Sequence, residues 1–108
     1  MYIYNVTANV EDSIHDEWLK WMKEEHIPDV MASNMFLSNS IFEVLVDHEQ
    51  GCTYSIQYEF KDMETFKLYE QVYAPKLQAD HKEKYGNQVL AFRTLLRREH
   101  NYQGDPRS

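Results

Sequence analysis

Thr53-Tyr54-Ser55-Ile56-Gln57-Tyr58-Glu59-Phe60 is an unbroken two-residue alternation. In an extended chain Tyr54, Ile56, Tyr58 and Phe60 fall on one side, and Thr53, Ser55, Gln57 and Glu59 on the other, which describes a strand with one apolar and one polar face. Asp62 follows as a helix cap with Glu64 in the first turn, and Met63, Phe66, Tyr69, Tyr73 and Leu77 then recur at helical spacing. Pro75 predicts a bend in that helix, Gly86-Asn87 its end after Tyr85, and Val89 to Arg97 a last strand. Upstream, residues 40–47 also read as a strand, joined to 53–60 through Asp47-His48-Glu49-Gln50-Gly51 as a β-hairpin.

Further upstream, Ile14, Trp18, Trp21 and Met22 form the apolar stripe of a first helix, with Asp12 or Ser13 as its cap and Asp16 and Glu17 at its positive end. Pro28 disfavours the α conformation at Ile27, so this helix is expected to kink or stop there. A short turn through Asp29–Ala32 would then end at Ser33-Asn34. The chain opens on a second alternating strand over residues 2–10, with Tyr2, Tyr4, Val6, Ala8 and Val10 on one side and Ile3, Asn5, Thr7 and Asn9 on the other. Strand, helix, hairpin, helix, strand is the ferredoxin-like βαββαβ order, an α+β fold with a four-stranded antiparallel sheet and two helices on one face. Residues 1–100 are expected to form one domain, and 101–108 a polar, disordered tail.

The first and third strands should be central, with Tyr4, Val6, Tyr54, Ile56 and Tyr58 beneath the helices. On the uncovered face the central strands are polar. Residues 41–46 and 89–96, however, are apolar on both faces, as strands buried on both sides are. A polar centre with apolar borders fits two sheets packed face to face, so a homodimer is expected.

Composition narrows the partners. With 11 Lys and Arg against 18 Asp and Glu, the net charge is −7, which repels phosphate backbones and anionic lipids. Neither nucleic acid nor membrane is expected as a partner. There is no basic segment followed by a long apolar run, so a cytoplasmic location is expected. The single cysteine, Cys52, excludes an internal disulfide and reads as a small apolar filler. With 3 glycines in all, a phosphate cradle has no material.

The candidate site residues each carry a bland reading beside the functional one. His26 stands just before Ile27-Pro28 and would serve as a proton acceptor near neutral pH, or as a helix C-cap. His15 and His26 lie about 16 Å apart at ~1.5 Å rise per residue, so they cannot share an ion. A haem would take His26 or His81 as its axial ligand, but no cofactor and no metal is expected. Trp18, Trp21, Tyr69 and Tyr73 line the helices' inner surfaces as core or as pocket wall. The pocket set is Asn5, Trp21, His26, Gln57, Tyr58 and Tyr73. Glu43, Glu59 and Arg93 are the candidate charge network at a dimer interface.

Five stretches carry a resemblance: residues 1–10, Trp18-Leu-Lys-Trp-Met-Lys-Glu-Glu-His26-Ile-Pro-Asp-Val30, Thr53 to Tyr58, Tyr73-Ala-Pro-Lys-Leu77 and Ala91-Phe-Arg-Thr94. Over roughly residues 1–98 the chain resembles an uncharacterised family of short bacterial proteins, a domain of unknown function within the dimeric α/β-barrel superfamily. That resemblance implies two ferredoxin-like protomers packed sheet to sheet. The superfamily spans metal-free monooxygenases, isomerases, haem enzymes and ligand-sensing domains, so it leaves function open. Two readings follow: a homodimeric module binding a small apolar or aromatic molecule, or a cofactor-independent monooxygenase- or isomerase-like enzyme using His26 with Tyr58, Asn5 or Gln57.

Overall fold

The computed structural model describes residues 1–45 and 50–107. The chain runs β1 (Tyr2–Val10), α1 (His15–Trp21), α2 (Ile27–Met31), β2 (Ser38–Glu43), β3 (Cys52–Phe60), α3 (Met63–Val72), α4 (Ala74–Tyr85) and β4 (Val89–Arg97). The strands form one antiparallel sheet in the order β2-β3-β1-β4, with Tyr4 opposite Tyr58 and Val6 opposite both Ile56 and Arg93. The two regular alternations are therefore the central strands, and the fold is the α+β arrangement expected of them.

The helices cover one face. Tyr4, Ala8, Val10, Tyr54, Ile56, Tyr58 and Phe60 of the sheet are buried against Trp18, Met22, Ile27, Val30, Phe66 and Tyr69. The middle of this layer is aromatic: Tyr4, Phe36, Tyr58, Phe66 and Tyr69 pack with ring centroids 4.6 to 6.2 Å apart, a spacing at which aromatic pairs attract beyond simple area burial.

Three local expectations differ from the structure. First, no side chain caps the first helical run; it begins as a 3-10 turn, Asp12–Ile14, behind Glu11. Second, the run does not stop before Pro28. Met22–His26 form a π-helical turn and Ile27 keeps α geometry at φ −62° and ψ −45°. The wider turn moves away the carbonyl that the Pro28 ring would strike, and α2 begins with Pro28 in its first turn, where no N–H bond is lost. The burial pattern carries the mark of it, since buried Met22 and Ile27 are five residues apart. Third, β2 starts at Ser38 and ends at Glu43, although the Val44 N–H still reaches the Thr53 carbonyl at 2.8 Å. The expected continuation through Val46 and the loop centre Asp47, His48 and Glu49 lie outside the described residues.

The other stops are as read. The Asp62 carboxylate accepts from the Thr65 N–H at 2.8 Å and the Thr65 hydroxyl at 2.7 Å, capping α3. Pro75 sits in the first turn of α4, after a break at Tyr73. Gly51 turns the chain at φ +77°, where a Cβ would come within 2.8 Å of the Val10 carbonyl oxygen, so only glycine fits.

On the uncovered face the cross-strand rows read Phe42, Ser55, Thr7, Phe92 and Ser40, Gln57, Asn5, Thr94. The centre is hydrogen-bonded: the Ser55 hydroxyl donates to Asn5 Oδ1 at 2.6 Å, and the Asn5 amide to Thr7 at 3.1 Å. The borders are bare, with Phe42, Leu90, Phe92 and Leu96 exposed. β4 is exposed on both faces apart from Val89, so the helical layer stops short of it.

Two substitutions separate local from global stabilisation. Asp62→Ala should cost about 1 kcal/mol by removing a cap. Phe60→Ala, at a fully buried position, should cost about 3–5 kcal/mol. Urea denaturation of both variants checks the ratio.

Candidate functional site

Because the helices leave β4 uncovered, a cavity opens between the sheet and the inner sides of the first helical run and α4. Its inner lobe has a volume of about 60 Å³, with Val6, Ala8, Ile56, Met22, Val30 and Leu77 as apolar wall and His26, Tyr58 and His81 among its polar groups. An adjoining outer lobe of about 240 Å³ reaches Phe66, Glu70 and Leu95. Tyr4, Tyr69, Gln78 and Arg93 line both lobes and form the neck between them.

The histidines are built in from behind. The Trp18 side chain is fully buried, and its indole N–H donates to His81 Nε2 at 3.0 Å. A nitrogen that accepts this bond carries no proton, so His81 is neutral with its proton on Nδ1. Burial, with His26 and Arg93 nearby, holds its pKa down to about 4. The His26 ring lies flat on Trp21 at 4.9 Å and meets His81 at 5.7 Å. Burial is the main cause lowering the His26 pKa too, against the opposing pull of Asp29 and Asp80. Both imidazoles are neutral at pH 7. The hydroxyls of Tyr58 and Tyr69 are pushed well above the usual range by burial, so they remain protonated. Burial also raises Tyr4, opposed by Arg93 and Gln78, which donate toward its hydroxyl.

The sequence-derived candidates divide by sheet face. His26 and Tyr58 reach the cavity. Trp21 stacks on His26, with the Lys84 ammonium 5.8 Å from the centre of the Trp21 ring. Tyr73 stacks outside Tyr69 at 6.4 Å and is over a third exposed. Asn5 and Gln57 lie on the opposite face, bonded around Ser55. Glu43, Glu59 and Arg93 do not meet. Glu43 accepts from the Tyr54 hydroxyl at 3.4 Å, Glu59 pairs with Arg98 at 3.0 Å, and Arg93 is in the cavity neck. The reason is parity: Glu59 pairs opposite Ile3 on one face, whereas Arg93 pairs opposite Val6 on the other. His26 caps no helix end, because the helical run continues past it. His15 is remote, paired with Asp16 and the Tyr54 hydroxyl.

Sequence reasoning missed Arg93, Gln78 and Tyr4 as cavity residues. The available signal was that Arg93 shares its strand face with Val89 and Ala91, the side that packs on the helices. Among the described residues no group of three or more His, Cys, Asp or Glu is placed to hold a metal ion, and no helix is long and apolar enough to cross a membrane.

Residues 1–99 match the model of a family described as a domain of unknown function, DUF4286. No curated protein matches the chain. Solved structures of similar fold include HapK from Hahella chejuensis, with a TM-score of 0.71 at 7% identity over 97% of this chain and 100% of that one. A dimeric ferredoxin-like protein from an uncultured marine organism has a TM-score of 0.68 at 13% identity, covering 96% of this chain and all of that one, 100%. A candidate antibiotic biosynthesis monooxygenase from Deinococcus radiodurans has 0.66 at 13% identity over 97% and 99%. At these identities the likeness is one of fold.

The lowered histidine pKa values have a consequence for stability. Unfolded, His81 takes up a proton near pH 6.5; folded, it does so only near 4. As pH falls through that window the unfolded chain binds more protons, so stability drops, then levels off below it. His26 acts in the same direction. Melting temperature should fall by several degrees between pH 7 and 5, and His81→Gln, which keeps an acceptor for Trp18, should flatten the slope.

Proposed function

We infer the following role for this chain, which belongs to the DUF4286 family of domains of unknown function: it is a homodimer that binds a small, largely apolar or aromatic molecule in the cavity between its sheet and helices. One observation carries this reading. The cavity is a two-lobed space with apolar walls and a few convergent polar groups, the usual composition of a small-molecule site.

The dimer is supported by the uncovered face. Phe42, Leu90, Phe92 and Leu96 are exposed around a hydrogen-bonded polar centre, and apolar borders of that kind favour a partner surface over water. A structural neighbour is itself described as dimeric. A second copy packed there would also shield β4, the strand that forms one side of the cavity. The cytoplasm is the proposed location, and residues 101–107, which form no helix or strand, the proposed tail; Ser108 lies outside the described residues.

A second reading has an observation of its own: His26 is a neutral base in the wall of the inner lobe, which Tyr58 also lines. A cofactor-independent enzyme of monooxygenase or isomerase type would use it to take a proton from the substrate. Asn5 and Gln57 have no part in that reading, since they stand on the other face of the sheet.

Native mass spectrometry of gently purified protein tests the main reading. The expected species has twice the 13.0 kDa mass of the chain, with a reproducible small adduct, and Phe92→Glu should convert it to monomer. A bare monomer would overturn the dimer. The eluted ligand then separates the two readings: wild type and His26→Ala should both return it unchanged if the protein is a binder. A product formed by wild type and not by His26→Ala, with melting temperature preserved, would establish the enzyme.

A further inference from the structure

We propose that the ligand of the cavity is an anion, an aromatic or alicyclic carboxylate or a similarly acidic oxyanion, held at its charged end by Arg93 and His81. This inference rests on the small-molecule reading above and narrows its ligand class.

The first observation is the state of Arg93. Each of the other three arginines has a carboxylate partner: Arg97 with Glu99 at 2.9 Å, Arg98 with Glu59 at 3.0 Å, and Arg107 with Asp105 at 3.0 Å. In a chain with 18 acidic residues, partners are not scarce. Among the described residues, though, no carboxylate lies within ion-pair distance of Arg93. The acidic residue among those lining the cavity, Glu70 of the outer lobe, makes no ion pair with it. The guanidinium stands at the neck of a cavity, where its planar fork of donors suits a carboxylate in two-point contact.

The second observation is independent of the first. Trp18 occupies His81 Nε2, so the proton of His81 is confined to Nδ1. No protein acceptor takes that proton among the described residues, and the ring lines the inner lobe. His81 thus enters the cavity as a fixed hydrogen-bond donor. Gln78, at the neck, offers an amide as a third. Arg93, His81 and Gln78 bring three donors, one of them charged, to a cavity whose inner lobe is largely apolar and has no carboxylate among its lining residues; Glu70 lines the outer lobe only. A ligand matching this has an oxyanion at the neck and a hydrocarbon body in the lobes. Trp18 is then a positioning residue, setting which face of His81 the ligand meets.

The test uses a pair of probes of equal shape, 2-naphthoate and 2-naphthamide, titrated by calorimetry and by heteronuclear NMR into the full chain. Wild type should bind the naphthoate about tenfold or more tightly than the amide, the scale of one charge-assisted contact. Arg93→Gln should bring the two within about threefold, by weakening the naphthoate more than the amide, and Arg93→Lys should retain part of the preference. Arg97→Gln, outside the cavity, should leave it intact. Equal binding of both probes by wild type would overturn the anion and leave the small-molecule reading standing. Binding of neither probe, with the signals of His26 and Trp18 unmoved, would overturn both. An imidazole ¹⁵N spectrum adds a readout that packing alone does not move: His81 should show a bare Nε2 and a protonated Nδ1, and Trp18→Phe should release that tautomer.

Discussion

Among the described residues, the bond from the Trp18 indole to His81 is the one side-chain hydrogen bond between the first helical run and α4, and the docking of these helices turns on it. Trp18 is the largest fully buried side chain, and its N–H has no water to turn to. An unmet indole N–H there would carry the full penalty of a buried donor, on the order of 1–3 kcal/mol. The only acceptor supplied is a histidine that must itself stay unprotonated. Packing of the two helices, the protonation state of the cavity and the direction in which His81 can donate are therefore one constraint. The aromatic layer of Tyr4, Phe36, Tyr58 and Tyr69 continues it inward, and Trp21 and His26 continue it outward.

The central sheet was legible in the residues because its information is local. The alternation of 53–60 and 2–10 names the buried face, Asp62 names a helix start, and Pro75 and Gly86 name breaks; each is decided within a few residues of itself. The path through Pro28 was not legible, since the rule against an α residue before proline holds for an ordinary turn and a π turn escapes it. The bounds of β2 were not legible either, because its residues stay apolar past Glu43, the last residue of the strand, while only the Val44 N–H continues to the Thr53 carbonyl.

The site was legible in part, and its misreading has a simple cause. Gln57 and Tyr58 are neighbours in sequence, so in a strand they must point to opposite faces; grouping both with one pocket crosses the sheet. Applied to β4, the same parity would have put Arg93 with Val89 and Ala91, on the helix side. Tyr58 was found because the alternation of its strand places it on the inner face, and His26 because it stands just before Ile27-Pro28. Gln78 and His81 needed the docking of α4 on the first helical run, a tertiary fact.

The π turn at Met22–His26 has a consequence for descent. By holding one more residue than an α turn, it re-phases everything after it by about 100°, which is how Ile27 and Val30 come to face the core while His26 keeps its ring on Trp21. The site is encoded in a count as well as in identities. A relative that lost a single residue between Met22 and Ile27 would retain every side chain named above, recover a regular helix, and turn its histidine out of the cavity. Within such a lineage, length at this one place is the character to follow.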